Sequence, residues 1–257
     1  MISKSKAKFI ISLQKKKIRD DEKLYVIEGD KLVKEFLAAG ITFRSLIAKP
    51  EFIGSLPSEM NSLVAEMESV TYEELKHIST LKTPHNALGV IPMPERNLNT
   101  GEIFSELSVA LDCVQDPGNL GTIIRAAGWF GIENIICSEN SVDVYNPKVI
   151  QASMGALLHV NVFYTDLERL CTQAKEFKIP IFGSVLDGGL IYTHDLDNNG
   201  VILFGNESKG ISDELMPFIT ERIMIPRFGT AEHGIDSLNV GMAASIIFSE
   251  FRRRNKQ

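Results

Sequence analysis

The stretch that decides the fold is VALDCVQDPGNLGTIIRAAGWFG, residues 109–131. It begins with an apolar run, Val109 to Val114, whose length and composition favour a buried strand. A polar turn follows, and apolar residues then recur at helical spacing until Gly131, a residue typical of a helix end. The residues on that helical face are Leu120, Ile123, Ile124, Ala127 and Phe130. A buried strand followed by an amphipathic helix is the repeating unit of an α/β fold.

The same alternation continues towards the C-terminus. Apolar runs predict further strands at Asn134 to Cys137, Ile181 to Val185, Val201 to Phe204 and Arg222 to Ile225. Asp166 is placed to cap a helix that buries Leu167 and Leu170. The last helix is the clearest, with apolar residues at helical spacing from Val240 to Phe251 and a basic end at Arg252 to Arg254. We therefore expect an α/β domain with a mostly parallel sheet.

The first ninety residues predict a second, smaller α/β domain. Extended apolar stretches predict strands at Leu24 to Glu28, Arg44 to Ala48 and Ala87 to Ile91. Asp30 can cap one helix, and Thr71 and Glu74 have the spacing of a capping box for another. Proline, asparagine and glycine then cluster in a polar stretch. We assign residues 1–95 to an N-terminal domain, 96–104 to a linker and 105–257 to the larger domain.

Charge is distributed unevenly along the chain. The formal net charge is −6, which by itself argues against a polyanionic partner, but both termini are basic. Met1 to Arg19 contains seven lysines and arginines and no acid. Such a segment can contact phosphates, although it can equally be the solvated surface of a helix. No apolar run is long enough to span a bilayer and the N-terminus lacks a signal peptide's apolar core, so we expect a cytoplasmic protein with no membrane partner.

The three cysteines, Cys113, Cys137 and Cys171, lie far apart inside apolar segments. Neither a disulfide framework nor a Cys-x-x-Cys zinc site is supported by this spacing. We interpret them as buried, unreactive thiols, and we expect no metal site.

Three polar loops follow strands of the predicted parallel sheet. The first runs from Asp116 to Arg125, the second from Gly205 to Gly210, and the third from Pro226 to Asn239. Because ligands of open α/β sheets bind beyond the carboxyl ends of the strands, these loops form a candidate site.

Each loop residue also has a purely structural interpretation. Asn119 can cap its helix, Gly205 and Gly210 can serve a turn, and Ser237 or Asn239 can cap the last helix. What favours a site is that all three loops lie at one sheet edge. The nucleotide-binding, hydrolase and zinc-protease motifs G-x-G-x-x-G, G-x-x-x-x-G-K-[ST], G-x-S-x-G and H-E-x-x-H are absent from the sequence.

The three loops resemble the three motifs of the SpoU (TrmH-like) RNA 2′-O-methyltransferases. The residues that carry the resemblance are Asn119-Leu120-Gly121-Thr122 through Arg125, Leu203-Phe204-Gly205-Asn206-Glu207-Ser208-Lys209-Gly210, and Ile225-Pro226 through Ser237-Leu238-Asn239-Val240. The similarity covers roughly residues 105 to 255, and the first ninety residues resemble, less specifically, an L30e-like substrate-binding domain. The loop from Arg227 to Asp236 looks longer than in many relatives, which leaves open whether its interior contacts a cofactor.

This resemblance implies a SPOUT fold with a C-terminal trefoil knot, S-adenosyl-L-methionine as methyl donor, a homodimer and an RNA substrate. It implies that the catalytic residues are Arg125, Asn119, Glu207, Ser237 and Asn239. It implies that the cofactor-binding residues are Leu203, Gly205, Asn206, Ile225 and Leu238. Ribosomal RNA is the expected substrate and transfer RNA the alternative. A non-catalytic RNA-binding or ribosome-assembly factor on the same fold, and a small-molecule methyltransferase, stay open as other functions.

Overall fold

The structure is a computed structural model that describes residues 2–196, 199–229 and 236–254, without the side chain of residue 254. The chain forms two compact units. The first comprises Met1–Glu95 and Tyr145–Leu158, and the second comprises Arg96–Val144 and His159–Gln257. None of the described helices is long and apolar enough to cross a membrane.

The first unit contains a four-stranded sheet flanked by helices. Its helices are α1 (Lys4–Ser12), α2 (Lys16–Glu22), α3 (Asp30–Ala38), α4 (Pro50–Gly54), α5 (Ser58–Asn61) and α6 (Tyr72–Ile78). Its strands are β1 (Leu24–Glu28), β2 (Ser45–Ala48), β3 (Met67–Ser69) and β4 (Ala87–Pro92), in the order β1-β4-β2-β3. β4 is antiparallel to both neighbours, whereas β2 and β3 are parallel.

The two predicted helix starts of this unit have different outcomes. The capping box is confirmed, because Thr71 Oγ1 accepts from the backbone N–H of Glu74 while the Glu74 carboxylate accepts from the N–H of Thr71. The prediction that Asp30 caps α3 is wrong. Gly29 occupies the cap position at φ +116°, and the Asp30 carboxylate instead accepts two hydrogen bonds from Asn86. A long-range contact has replaced the local one.

The basic N-terminal segment is partly neutralised within the first unit. Lys6 forms ion pairs with Glu66 and Glu68. Arg19 is buried, and its Nη1 donates to the carbonyl oxygens of Leu13 and Gln14 at 2.8 Å each. Five exposed lysines remain for solvent or a partner, and they are Lys4, Lys8, Lys15, Lys16 and Lys17.

The first unit also includes a segment that the sequence placed in the larger domain. Residues 145–158 contain helix α9 (Pro147–Ser153), which packs on β1. Gln151 Nε2 donates to the carbonyl oxygen of Glu28 at 2.9 Å, and the rings of Tyr145 and Tyr25 lie 4.6 Å apart. These contacts join residues more than a hundred positions apart, so no local pattern indicates them.

The second unit is a six-stranded sheet in which every described strand pairing is parallel. Its strands are β5 (Leu107–Leu111), β6 (Asn134–Cys137), β7 (Asn161–Tyr164), β8 (Ile181–Leu190), β9 (Gly200–Phe204) and β10 (Glu221–Met224), in the order β10-β8-β9-β5-β6-β7. Its helices are α7 (Thr100–Ser105), α8 (Pro117–Trp129), α10 (Leu167–Glu176) and α11 (Val240–Arg254). The expected α/β class and parallel sheet are confirmed.

Three features of this sheet differ from the expectation. The stretch predicted as a linker, 96–104, contains most of α7, whose Ile103 and Phe104 are buried in the core. The strand β7 was not predicted, because it lies at the sheet edge and none of its residues is fully buried. β8 continues five residues beyond Val185 through Gly188 and Gly189, which look like turn residues in the sequence.

The core of the second unit confirms two predicted helix faces. Asp166 Oδ1 accepts from the backbone N–H groups of Glu168 and Arg169, so it caps α10 as expected. On α11 the buried apolar side chains are Val240, Ala244, Ile247, Phe248 and Phe251. Phe248 packs edge-on against Phe204 of β9, with ring centroids 5.9 Å apart. The trefoil knot stays a prediction, since part of the loop that would form it, 230–235, lies outside the described residues.

Burial of the cysteines agrees with the sequence for two of the three. Cys137 and Cys171 are buried, and Cys113 is half-buried. Burial raises the pKa of both buried thiols, that of Cys171 to about 12 with a further contribution from the carboxylates of Asp112 and Asp166.

Candidate active site

The loop after β5 turns sharply into α8. Cys113 adopts a left-handed conformation at φ +55°. Its backbone N–H donates to Ser138 Oγ after β6, and its carbonyl oxygen accepts from Asn206 Nδ2 after β9. Asp116 caps α8, because its Oδ1 accepts from the backbone N–H of Asn119 at 2.9 Å. Asn119 therefore lies inside the helix, and its side chain is free for other contacts.

The loop after β9 returns on itself. Asn206 and Gly210 exchange two backbone hydrogen bonds of 2.9 Å. A Cβ atom at Gly205 would lie 2.0 Å from the carbonyl carbon of Gly210 and 2.1 Å from the nitrogen of Ile211. Since backbone atoms cannot approach a side chain this closely, only glycine permits this return.

The side chain of Asn206 connects these two loops. Its Oδ1 accepts from the backbone N–H groups of Ser208 and Lys209, at 3.0 and 3.1 Å. Its Nδ2 donates to the carbonyl oxygen of Cys113 at 2.7 Å. Asn206 thus holds the β9 loop closed and ties it to the β5 loop.

A chain of three side chains joins all three predicted motifs. Asn239 Oδ1 accepts from the backbone N–H groups of Gly241 and Met242, which makes Asn239 the cap of α11. Its Nδ2 must then donate, and it does so to Asn119 Oδ1 at 2.7 Å. That leaves Asn119 Nδ2 as a donor to Glu207 Oε1, at 2.9 Å. The cap thereby fixes the orientation of both amides.

Glu207 is held although it is exposed. Its Oε1 also accepts from the backbone N–H of Asp116 at 3.3 Å, and its Oε2 accepts from Asn206 Nδ2 at the same distance. Every one of these contacts suits an ionised carboxylate, which only accepts hydrogen bonds. The site therefore presents a negatively charged group of fixed position.

A cavity of 560 Å³ lies beside this chain. Seven of the ten residues expected in the site line it, and they are Gly205, Asn206, Glu207, Ile225, Ser237, Leu238 and Asn239. Asn119 adjoins the lining through its hydrogen bonds to Glu207 and Asn239. Leu203 is fully buried in the core and does not line the cavity, whereas the neighbouring Phe204 does.

Arg125 lies apart from the cavity wall. It is exposed on α8, six residues after Asn119, which places it on a different face of the helix, roughly 240° around the axis. Within the described part of the chain no hydrogen bond or ion pair holds its guanidinium. Arg125 can meet a substrate only if the substrate, or a second copy of the chain, lies over α8.

Several lining residues escaped the sequence analysis. Strand β8 contributes Ser184 and Val185 from its predicted part and Leu186 from its extension, and the third loop contributes Phe228, which is 91% exposed. Asp116 was also missed as the residue that supports both Asn119 and Glu207. The spacing Asp116-Pro117-x-Asn119, with a cap residue before a proline at the first helical position, was the available signal.

Residues 230–235 of the long third loop lie outside the described residues, so whether that loop contacts a cofactor stays open.

Comparisons with known proteins agree with this arrangement. The family model described as SpoU rRNA Methylase family matches residues 106–249, and a model described as MRM3-like substrate binding domain matches residues 4–89. The chain is 27% identical over 241 residues to the 23S rRNA (guanosine(2553)-2′-O)-methyltransferase RlmP of Bacillus subtilis, covering 93% of each chain. It is 25% identical to the human mitochondrial rRNA methyltransferase 3, covering 92% of this chain and 69% of the relative.

Solved structures match nearly the full length of the chain. A protein of the TrmH family from Porphyromonas gingivalis is 36% identical with a TM-score of 0.88, and the match covers 99% of this chain and 100% of the other. An AdoMet-bound rRNA methyltransferase from Sinorhizobium meliloti is 27% identical with a TM-score of 0.87, covering 100% and 97%. The family model covers more than half of the chain and includes all three loops of the site. The chain belongs to the SpoU rRNA methylase family.

Proposed function

We propose that this protein transfers a methyl group from S-adenosyl-L-methionine to a ribose 2′-hydroxyl of RNA. The observation that carries this proposal is the chain Asn239–Asn119–Glu207, which fixes a carboxylate beside a cavity in a domain of the SpoU family. Such a carboxylate can accept a proton from a hydroxyl group positioned in the cavity.

The cavity fits the proposed methyl donor. A volume of 560 Å³ is in the usual range for sites that bury a small organic ligand. The wall combines apolar side chains with backbone groups of the closed β9 loop, where Gly205 allows close approach. Gly205, Asn206, Ile225 and Leu238 would hold the ligand, with Leu203 supporting the wall from behind.

When bound, S-adenosyl-L-methionine supplies a methyl group on a positively charged sulfur, so that the C–O bond to the ribose forms as the C–S bond breaks and the hydroxyl proton is released. Glu207 is the side chain we assign to receive that proton, with a phosphate oxygen of the RNA as the alternative. Asn119 and Asn239 position Glu207. Ser237, which lines the same wall, is placed to bind ribose or phosphate.

Arg125 has an electrostatic role in this proposal. Its guanidinium stays protonated in proteins and therefore does not serve as the base. It can instead bind a phosphate of the target nucleotide or stabilise negative charge that develops on the 2′-oxygen. Arg125 is exposed on α8 of a single copy, which suits contact with RNA where a second copy of the chain leaves this helix uncovered.

Ribosomal RNA is the substrate class we favour. The relatives in Bacillus subtilis and human mitochondria are named as rRNA methyltransferases, and the N-terminal model is named for substrate binding. Transfer RNA stays the alternative, and the target nucleotide is left open. We also keep the cytoplasmic location as a prediction.

In solution we expect a homodimer packed through α8 and α11. These helices pack against one another, and they leave Trp129 85% and Met242 58% exposed. Large apolar side chains exposed to water favour burial against a second copy. Sedimentation velocity should give a dimer for the wild type and a weaker dimer for Trp129→Ser, whereas a monomeric wild type would contradict this expectation.

Calorimetry and methyl incorporation together separate the enzyme from its rivals. The enzyme should bind S-adenosyl-L-methionine and transfer labelled methyl groups to bulk ribosomal RNA. A non-catalytic RNA-binding factor would bind the RNA and transfer nothing. A small-molecule methyltransferase would bind the methyl donor and leave RNA unlabelled, and either result would refute the proposal.

A further inference from the structure

A second cavity, of 330 Å³, lies within the first unit. Seven residues from α3, the end of β2, α4 and the turn before β4 line it, and they are Asp30, Lys34, Lys49, Glu51, Phe52, Ser55 and Asn86. It is separate in sequence from the site described above, because it involves only residues of the N-terminal family-model match.

Asn86 is fixed at the wall of this cavity by three hydrogen bonds. Its backbone N–H and its Nδ2 donate to the two carboxylate oxygens of Asp30, at 2.8 and 2.6 Å. Its carbonyl oxygen accepts from the backbone N–H of Lys49 at 2.9 Å. The side-chain Oδ1 of Asn86 has no donor among the described residues, and each Asp30 oxygen retains a further lone pair. The wall thus presents preorganised acceptors for N–H groups.

The two lysines of the cavity are also positioned. Lys34 Nζ lies 5.3 Å from the centre of the Phe52 ring, and Lys49 Nζ lies 5.1 Å from the centre of the Tyr72 ring. An ammonium group over an aromatic face is attracted to it, which restricts an otherwise flexible side chain. No ion pair involves either lysine among the described residues, so both ammonium groups are available to an anion.

The mixture of groups selects the class of ligand. Two lysines suit a phosphodiester, whereas the carboxylates of Asp30 and Glu51 oppose a free phosphate dianion in the same cavity. A nucleotide within RNA complements both kinds of group. Its base carries N–H donors for the acceptors, and its phosphodiester carries a single negative charge for the lysines. Proteins recognise RNA largely through such unpaired bases.

We infer that this cavity binds one unpaired nucleotide of the RNA substrate, with the base edge on Asp30 and Asn86 and the adjoining phosphates on Lys34 and Lys49. The inference rests on the proposed function, because it supplies the means by which the first unit holds the RNA. It predicts that the cavity contributes to RNA affinity and leaves methyl-donor binding unaffected.

The test compares two double variants with equal loss of charge. Lys34→Ala/Lys49→Ala removes the cavity lysines, and Lys76→Ala/Lys175→Ala removes two exposed helix lysines that line neither cavity. With bulk unmodified ribosomal RNA, the first should raise KM for RNA on the order of tenfold at unchanged KM for S-adenosyl-L-methionine. It should also reduce the slope of log affinity against log salt by about 0.7 for each lysine. The control should change neither quantity, and Lys34→Arg/Lys49→Arg should recover most of the affinity.

Each outcome decides the inference. Equal KM and equal salt slope for the two alanine variants would overturn it, while an active wild type would leave the proposed function intact. A wild type that binds RNA but transfers no methyl group would refute the proposed function, and the salt slopes would still test the cavity. A dinucleoside monophosphate, whose phosphodiester carries a single negative charge, should compete for RNA binding more strongly than inorganic phosphate at equal ionic strength. Equal competition would show an anion site only and would also overturn the inference.

Discussion

At the scale of single residues, the site depends on the direction of hydrogen bonds through Asn119. This side chain is 9% exposed, accepts from Asn239 and donates to Glu207. The resemblance to the SpoU motifs predicts all three residues, yet the sequence leaves open whether Asn119 and Asn239 are only helix caps. The structure separates the two cases, since Asp116 caps α8 and Asn239 both caps α11 and donates to Asn119. Motif spacing carries no information on which amide atom faces which partner.

Replacing Asn119 with aspartate should disrupt this chain. The new oxygen would face Glu207 Oε1 at hydrogen-bond distance, so a donor is lost and two carboxylates repel. We expect Asn119→Asp to lower the free energy of unfolding by about 1 to 3 kcal/mol and to reduce kcat strongly. Urea denaturation and steady-state methyl transfer measure the two effects.

A second substitution checks the direction of the hydrogen bond. In Asn119→Asp/Glu207→Gln the amide of residue 207 can donate to residue 119, which should restore most of the lost stability but not the turnover. Asn97→Asp is the matched control, because Asn97 is exposed and its side chain makes no hydrogen bond among the described residues. A double variant less stable than Asn119→Asp would contradict the assigned orientation.

Arg125 is the second residue-scale test. Because its side chain lies outside the cavity wall, Arg125→Ala should leave the affinity for S-adenosyl-L-methionine unchanged. It should nevertheless abolish turnover, since the guanidinium is assigned to the RNA. Calorimetry measures the affinity for S-adenosyl-L-methionine, and a methyl-transfer assay measures turnover. Arg169→Ala, on the exposed side of α10, is the control. Wild-type methylation by Arg125→Ala would remove Arg125 from the mechanism.

At the scale of elements, the β9 loop is the part of the cavity wall that leaves least room for an added side-chain atom. Its glycines are visible in the sequence, but a turn glycine and a binding-site glycine look alike there. The structure shows that a Cβ at Gly205 would collide with the backbone of Gly210 and Ile211. The close return of the loop, and with it the shape of the cavity, requires glycine at this position.

Gly205→Ala should therefore weaken methyl-donor binding. The loop must move to make room for the alanine side chain. We therefore expect the Kd for S-adenosyl-L-methionine, measured by calorimetry, to rise on the order of tenfold or more. Gly54→Ala is the control, since a Cβ at Gly54 meets no atom within 4 Å. Unchanged affinity in Gly205→Ala would show that the β9 loop does not contact the methyl donor.

The elements also show where periodicity stops being informative. The buried strands β6 and β9 were predicted nearly to their ends, because their residues form continuous apolar runs. The prediction for β5 was less accurate, since the strand begins two residues before Val109 and ends three residues before Val114. The edge strand β7 and the extension of β8 were not predicted, since the residues of β7 are half-buried and most residues of the extension are exposed. That extension supplies part of the cavity wall, so this part of the site was not predicted either.

At the scale of the whole molecule, the sequence predicts two units and their fold class. It does not predict which segments belong to each unit. The segment 145–158 belongs with the first unit because its helix packs on β1, although the two are more than a hundred residues apart in sequence. Its helix has an ordinary local pattern that fits either unit. Assignment of a segment to a core depends on long-range packing, which local propensity does not encode.

The core of the second unit should protect its thiols. Burial raises the pKa of Cys137 and Cys171, that of Cys171 to about 12, above the ordinary value of about 8.5. Alkylation at pH 8 should therefore label at most Cys113 in the native protein and all three cysteines after unfolding. Keeping the Cys171 thiol protonated stabilises the folded state. Because its pKa is raised by folding, this stabilisation is complete below about pH 8.5 and is lost as the pH rises towards 12. Rapid native labelling of Cys171 would contradict the described packing.

The central claim is that this molecule methylates ribose in RNA through the site at the carboxyl edge of its parallel sheet. Its most direct test is mass spectrometry of nucleosides from unmodified ribosomal RNA incubated with the purified protein and isotopically labelled S-adenosyl-L-methionine. We predict one 2′-O-methylnucleoside that carries the label, formed by the wild type and absent with Arg125→Ala. Label on a base, or no labelled nucleoside with RNA that the protein binds, would contradict the claim.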